Sequence, residues 1–465
     1  MSFLPNSYDS RDRYTEELCS FIATPLIRQI TGGIHVNDAL VYNAWEALPE
    51  EWATWWSLWP DHRLAQQDLI DSIDEDFVLE SSDRKIQSQP AQSRPETLTT
   101  WLSTLRSLAL PRCQREGSTV PLPGVLRDRM KTKKIAEISR AVAYIQDICQ
   151  SRNITHIVDM GSGQGYLSVS LAYLFPQLRV LAIDGSKSQV AGSQAFAASL
   201  GLSESRLRHV VHWIDGTSTL DTMIEEWAGP EKCMLVGLHA CGSLAEHMIR
   251  YFTTVPSIVS LAAIGCCYNH IVARSASHPS GFPISLALRQ HNVALSPTAL
   301  MTGCQAPNNW EKRDTEAALP PEKSAFGKRR VYRAIMEKLL FDKGIKVDTD
   351  TRPAWGTRKG DLVDFTTFAR RAMDCLAINY EKISTEELVA YEERYRKCEG
   401  QIAILWTLSV LCCKIVESVI ALDRYWYLVE QSADQVDIVP IFDFKVSPRN
   451  LMIVAEKKDL ELQRA

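Results

Sequence analysis

Asp159-Met160-Gly161-Ser162-Gly163-Gln164-Gly165 closes a short apolar run and opens a helical pattern from Tyr166 to Leu174. Glycines at alternate positions let a backbone turn tightly and approach an adenosine with no side chain in the way. A dinucleotide fingerprint would set its third glycine one residue later, where Tyr166 stands, so the spacing favours S-adenosylmethionine over NAD. That ligand has no pyrophosphate, but its carboxylate still gains from N–H groups at a helix start. Asp159, Gly161, Ser162, Gly163, Gln164 and Gly165 are thus the candidate cofactor residues. Asp184 ends the next apolar run about 20 residues on, where an acid can accept from both ribose hydroxyls. Asp215, in HWIDG, is a further candidate, for the adenine amino group.

Two later segments gather groups able to act on an acceptor: Gly237-Leu238-His239-Ala240-Cys241-Gly242 and Gly265-Cys266-Cys267-Tyr268-Asn269-His270. A neutral imidazole suits general-base work, thiolates and imidazoles suit a metal, and small residues suit a packing layer. His239, Cys241, Cys267 and Tyr268 are taken as the candidate catalytic set. No metal is expected, because Cys266-Cys267 lacks the CxxC spacing by which one loop chelates. There is no Asn or Asp followed by Pro-Pro and an aromatic, as for methylation of an exocyclic adenine amine, and no Pro-Cys of the kind that attacks a pyrimidine. The basic run Arg127, Arg129, Lys131, Lys133 and Lys134 is either a solvated face or an anion contact, and Lys328, Arg329 and Arg330 pose the same choice.

Such residues need a scaffold that brings strand ends together. Short apolar runs at His156–Met160, Arg179–Asp184, His209–Ile214, Cys233–Leu238 and Ile258–Ile264 alternate with helical patterns, the signature of βαβ units and a parallel sheet. Val436–Phe442 and Asn450–Glu456, around KVSPR, predict a closing antiparallel hairpin. The fold expected is α/β, a Rossmann-like class I methyltransferase sheet, with a helical amino-terminal region (1–120), a core (121–306), a helical insertion (307–400) and a carboxyl part completing the sheet (401–465). The tryptophans around LPEEW read as packing, Ser81–Pro95 as a linker, and Ser384–Glu387 as a capping box.

With 45% hydrophobic and 23% charged residues, the chain lies in the globular range. A net charge of -5 and a pI near 6.1 give no global footprint for nucleic acid and no DNA signal. The amino terminus has no apolar signal region, and the twelve dispersed cysteines suit a reducing compartment, so an intracellular protein, cytoplasmic or nuclear, is expected. The apolar stretch Ile402–Cys413 falls short of the roughly 20 residues that span a bilayer.

From about Leu122 to the carboxyl end the chain resembles the methyltransferase-like protein 25 family, whose members also carry the label ribosomal RNA adenine dimethylase domain-containing protein. The resemblance rests on KTKKIAEI, DMGSGQGYLS, GLHACGSL, GCCYNHI, GFPISLAL, GCQAP, ALDRYWYLVE and VPIFDFKVSPRNLMIVAEKK, in that order. It places the cofactor loop on Asp159, Gly161, Gly163 and Gly165, and the two later motifs on His239, Cys241, Gly242, Cys266, Cys267 and Tyr268. This chain departs from the pattern at Ala136, where KKxHE has histidine, and at Ser243, where an acid follows HACG. The resemblance implies a methyltransferase acting on a macromolecule, protein or RNA; a cofactor-binding scaffold without turnover is the alternative.

Overall fold

The computed structural model describes residues 3–33, 36–73, 90, 92–305, 325–346 and 359–458; most of the linker read at 81–95 lies outside them, as does part of the insertion. The chain divides into two compact units, one of residues 1–23, 108–304 and 414–465, the other of 24–107 and 305–413. These boundaries differ from those expected, since residues 1–23 and 108–120 belong with the sheet, residues 24–107 belong with the insertion, and the helical unit runs on to 413.

The first unit is built on β1 (His156–Met160), β2 (Arg179–Asp184), β3 (Leu207–Val211), β4 (Cys233–Cys241), β5 (Ile258–Cys266), β6 (Gln435–Pro440) and β7 (Leu451–Glu456), in the order β3-β2-β1-β4-β5-β7-β6. β1 to β5 run parallel, and β7 pairs antiparallel with both β5 and β6. This is the Rossmann-like sheet with a closing hairpin that the sequence pattern predicts. Ile157, Val158, Leu181, Ala182, Leu235, Val236, Leu261 and Ala262 are wholly buried, as strands covered on both faces require. Strand order reverses between β1 and β4, and a doubly wound sheet opens its ligand crevice at the carboxyl ends of the strands flanking such a reversal.

Helices cover the sheet because their apolar residues recur every three or four positions. α1 (Arg11–Ile22) is capped by Ser10, and Tyr14 in it donates to Leu108 O at 2.9 Å. α2 (Thr132–Ser151) buries Ile138, Ala141, Val142, Ile145 and Cys149 in the sheet's core. α3 (Tyr166–Leu174), α4 (Lys187–Ser199), α5 (Leu244–Thr254) and α6 (Cys413–Glu430) complete the elements that position the site.

The second unit is helical. Val331, Ile335, Leu339, Phe365, Phe368 and Ile402 share its core, and Trp52 packs on Trp101 with centroids 5.5 Å apart while its indole donates to Thr97 Oγ1 at 2.9 Å. Ser384 Oγ accepts from Glu387 N at 3.2 Å, as the capping box predicts. Among the described residues one helical stretch, Thr385–Glu430, is long and apolar enough to cross a membrane, but 78% of its apolar window is buried, as in a core helix.

Candidate functional site

The turn after β1 uses Gly161, Gly163 and Gly165 at φ +74°, +54° and +75°, the left-handed region that other residues adopt only under strain. Gly161 N and Ser162 N donate to Ile183 O at 2.9 and 3.1 Å, tying the turn to the end of β2. The three glycines differ in what a side chain would meet. A Cβ on Gly165 would overlap Ser193 Oγ, and one on Gly161 would come within 2.8 Å of Leu244 Cδ2. A Cβ on Gly163 would meet nothing within 4 Å, so protein packing alone does not require glycine there. Ser162 Oγ is buried without a partner among the described residues. The turn therefore has both open space and an unsatisfied hydroxyl, which fits a polar ligand.

Asp184 braces this turn: Oδ2 accepts from Gly163 N at 2.9 Å and Oδ1 from Ser186 N at 2.8 Å. Each carboxylate oxygen keeps a second lone pair for a hydroxyl. Asp159, expected at the cofactor, is 2% exposed beneath the turn, with Ser168 Oγ donating to it. Burial pushes its carboxyl up to about 7, and its bond with Ser168 ties the end of β1 to α3. Gln164 folds back against Gly192 of α4. β3 ends at Val211, three residues short of the predicted end, which leaves Trp213 75% exposed and set close against Gly185 beside Asp184. Asp215 lies two residues on, its carboxyl held below the ordinary value by hydrogen bonds from Thr217.

At the end of β4 the pairing with β5 slips between Gly237 and Ala240, placing an extra residue in β4 at Leu238-His239. Such bulges re-aim a side chain. His239 Nε2 lies 2.8 Å from Lys134 Nζ and 3.2 Å from Glu137 Oε2, and Lys134 Nζ lies 2.7 Å from the same oxygen. Ser447 Oγ donates to Glu137 Oε1 at 2.8 Å. Glu137 is 1% exposed; burial opposes its charge, but the hydrogen bonds and charges of His239 and Lys134 prevail and hold it well below the usual carboxylate range. Sequence reasoning missed Glu137 and Ser447 as site residues. The signal for Glu137 was an acid on the buried stripe of α2, three residues past a lysine, whereas Ser447 had none, being 310 residues away.

Cys241 and Cys267 also meet at this edge, together with Cys266: Cys241 Sγ lies 3.2 Å from Cys266 Sγ and 3.6 Å from Cys267 Sγ. Tyr268, expected beside the acceptor, is turned into the protein. Its ring is 3% exposed, its hydroxyl donates to Glu417 Oε1 at 2.7 Å, and Glu417 pairs with Arg112 and Arg449 at 2.7 and 3.0 Å. Cys267, at φ +48°, redirects the chain and drives the following ring inward. Tyr268 thus belongs to a buried ionic network. Glu417→Ala is expected to destabilise the protein by about 3–5 kcal/mol, because it takes the carboxylate from the buried guanidinium of Arg112 and from the part-buried one of Arg449; Tyr268→Phe should lower stability by less. Denaturant melts of the two variants check both.

Residues 131–274 match the family described as a methyltransferase domain. The chain is 28% identical to probable methyltransferase-like protein 25 of Mus musculus over 303 residues, 61% of this chain and 48% of the relative. To the Homo sapiens protein of that name it is 29% identical over 239 residues, 49% and 37% of the two chains. It thus spans less than half the length of the curated relatives it matches. Among solved structures, magnesium protoporphyrin IX methyltransferase from Synechocystis is similar over 33% of this chain and 66% of that one, at 14% identity and a TM-score of 0.22, too slight a likeness to argue from. Residues 131–274, with the glycine turn and the β4–β5 edge inside them, therefore form a methyltransferase domain, in a chain whose resemblance to the methyltransferase-like protein 25 family the curated relatives bear out.

Proposed function

We propose that this protein is an S-adenosylmethionine-dependent methyltransferase whose acceptor is a macromolecule, protein or RNA. The observation that carries the reading is the turn at the strand reversal, with open space over Gly163 and the orphan hydroxyl of Ser162 beside the carboxylate of Asp184. When bound, the cofactor supplies an electrophilic methyl group. The chain's own part is to hold and orient: Ser162 Oγ offers its unsatisfied hydroxyl to the ligand's polar end, Asp184 keeps lone pairs for the ribose hydroxyls, and Trp213 and Asp215 would border the adenine. A helical unit separate from the sheet gives the chain surface beyond what a small acceptor needs.

In this reading His239 handles the acceptor's proton. Lys134 Nζ, 2.8 Å away, donates to Nε2 of the neutral ring, and the Glu137 carboxylate, 3.2 Å from the same nitrogen, offsets the charge of the imidazolium formed when the ring takes a proton. Cys241 follows two residues along the strand. His239→Ala is expected to lower turnover on the order of a hundredfold, the usual worth of a positioned base, with cofactor affinity unchanged. The test is transfer of labelled methyl groups from S-adenosylmethionine into fractionated lysate, followed by nuclease or protease digestion of the labelled fraction. No incorporation by protein that binds the cofactor would overturn the catalytic reading and leave a scaffold.

A further inference from the structure

Cys241, Cys266 and Cys267 bring their sulfurs within 4.8 Å of one another, although nothing in their sequence spacing marks a chelating loop. The fold supplies what the spacing lacks. Cys241 and Cys266 are directly paired at the carboxyl ends of β4 and β5. A strand continued through Cys267 would turn that side chain to the opposite face. Instead Cys267 takes φ +48° and ψ +49°, a left-handed conformation that disfavours a residue with a Cβ by roughly 1–2 kcal/mol. The consequence is that its sulfur lies 3.6 Å from that of Cys241. Strain held in a non-glycine residue at a strand end points to a use for the side chain. Gly242, at φ +54°, lets the backbone of His270 pack against it, where a Cβ would stand 2.5 Å from His270 O, and so fixes the turn that carries Cys267.

The spacing of the sulfurs identifies the chemistry. A tetrahedral cation with metal–sulfur bonds of about 2.3 Å separates its thiolates by about 3.8 Å, and the distances from Cys241, 3.2 and 3.6 Å, lie close to that. A disulfide would need about 2.05 Å. We infer that Cys241, Cys266 and Cys267 form a three-thiolate site for a thiophilic divalent cation of the zinc class, with the fourth coordination position open. Cys241 and Cys267 are exposed and Cys266 is buried, so the site is rooted in the sheet and accessible from solvent. Three protein ligands with an open position are the arrangement of zinc sites that bind or activate a further ligand, and this one stands two residues from His239. The expectation of no metal rested on spacing within one loop, whereas here the ligands come from two strand ends. Binding releases the proton of each thiol that coordinates.

The inference does not depend on methyl transfer, because metal uptake is read with neither cofactor nor acceptor present. Full-length protein, reduced and freed of metal under anaerobic conditions, is titrated with Zn2+ against a chromophoric chelator and separately with Co2+. The expected result is one equivalent of zinc, a thiolate-to-cobalt charge-transfer band, and zinc protection of these three cysteines from alkylation, mapped by mass spectrometry. Cys241→Ser and Cys267→Ser, both at exposed positions, should each weaken zinc binding on the order of a hundredfold, while Cys113→Ser should not. Three observations would each overturn the site: no zinc uptake by the reduced wild-type protein, uptake with these three thiols still freely alkylated, or uptake unchanged in both serine variants.

Discussion

A chain ended before Asp434 is expected to lose cooperative folding of its sheet unit altogether. The missing segment is no terminal appendage, since β7 lies between β5 and β6 and pairs with β5 from Ser260–Glu456 to Ile264–Met452. Ile438, Val439, Ile441, Phe442, Met452 and Ile453 would go with it, all of them buried. Each such side chain contributes about 1.5–3 kcal/mol, and together they rival the roughly 5–15 kcal/mol by which a domain is stable. The cut also removes Asn450, whose amide donates to Arg112 O and Phe442 O, and Ser447, which donates to Glu137. Thermal melts followed by near-ultraviolet circular dichroism provide the check. A truncated protein that melts cooperatively at the full-length temperature would show the hairpin to be dispensable.

Gly163→Val is expected to weaken S-adenosylmethionine binding at least about a hundredfold, roughly 2.8 kcal/mol. The protein leaves open space around a Cβ at this position, so the added side chain competes first with what the turn holds. The left-handed φ of +54° adds backbone strain, on the order of 1–2 kcal/mol, which a melt of the free protein reads separately. Gly165→Ala is the contrast: its Cβ would collide with Ser193, so stability should fall first. Calorimetric titration of both folded variants separates the effects. Wild-type affinity in Gly163→Val would place the ligand elsewhere.

What was legible in the sequence was what is local. The glycine turn, its strand and its helix occupy one continuous segment, so their residue types declare them. β3 was read two residues late at its start and three at its end, because it is an edge strand with its last residues half-exposed and its apolar pattern runs on into Trp213 and Ile214 after pairing stops. Residues 1–23 were assigned to the wrong neighbour for a different reason: what ties α1 to the sheet unit includes the hydrogen bond from Trp426 to Thr15 at 2.8 Å, between residues 411 apart. The same limit hid Ser447 beside Glu137. Tyr268 was misplaced by a single backbone torsion at Cys267, since strand alternation predicts facing only while the strand continues.

The interleaving of the two units also sets the order in which a newly made chain can mature. The helical unit needs nothing beyond residue 413, whereas the sheet unit waits for residues 414–465. β5 is complete at Cys266, but its partner β7 begins only at Leu451. At typical synthesis rates that interval lasts roughly ten to forty seconds, during which Ile258-Val259-Ser260-Leu261-Ala262-Ala263-Ile264 presents an unpaired apolar edge open to other chains. Dependence on chaperones during synthesis follows from the topology of this chain, and separate expression of its first 413 residues would make that exposure permanent.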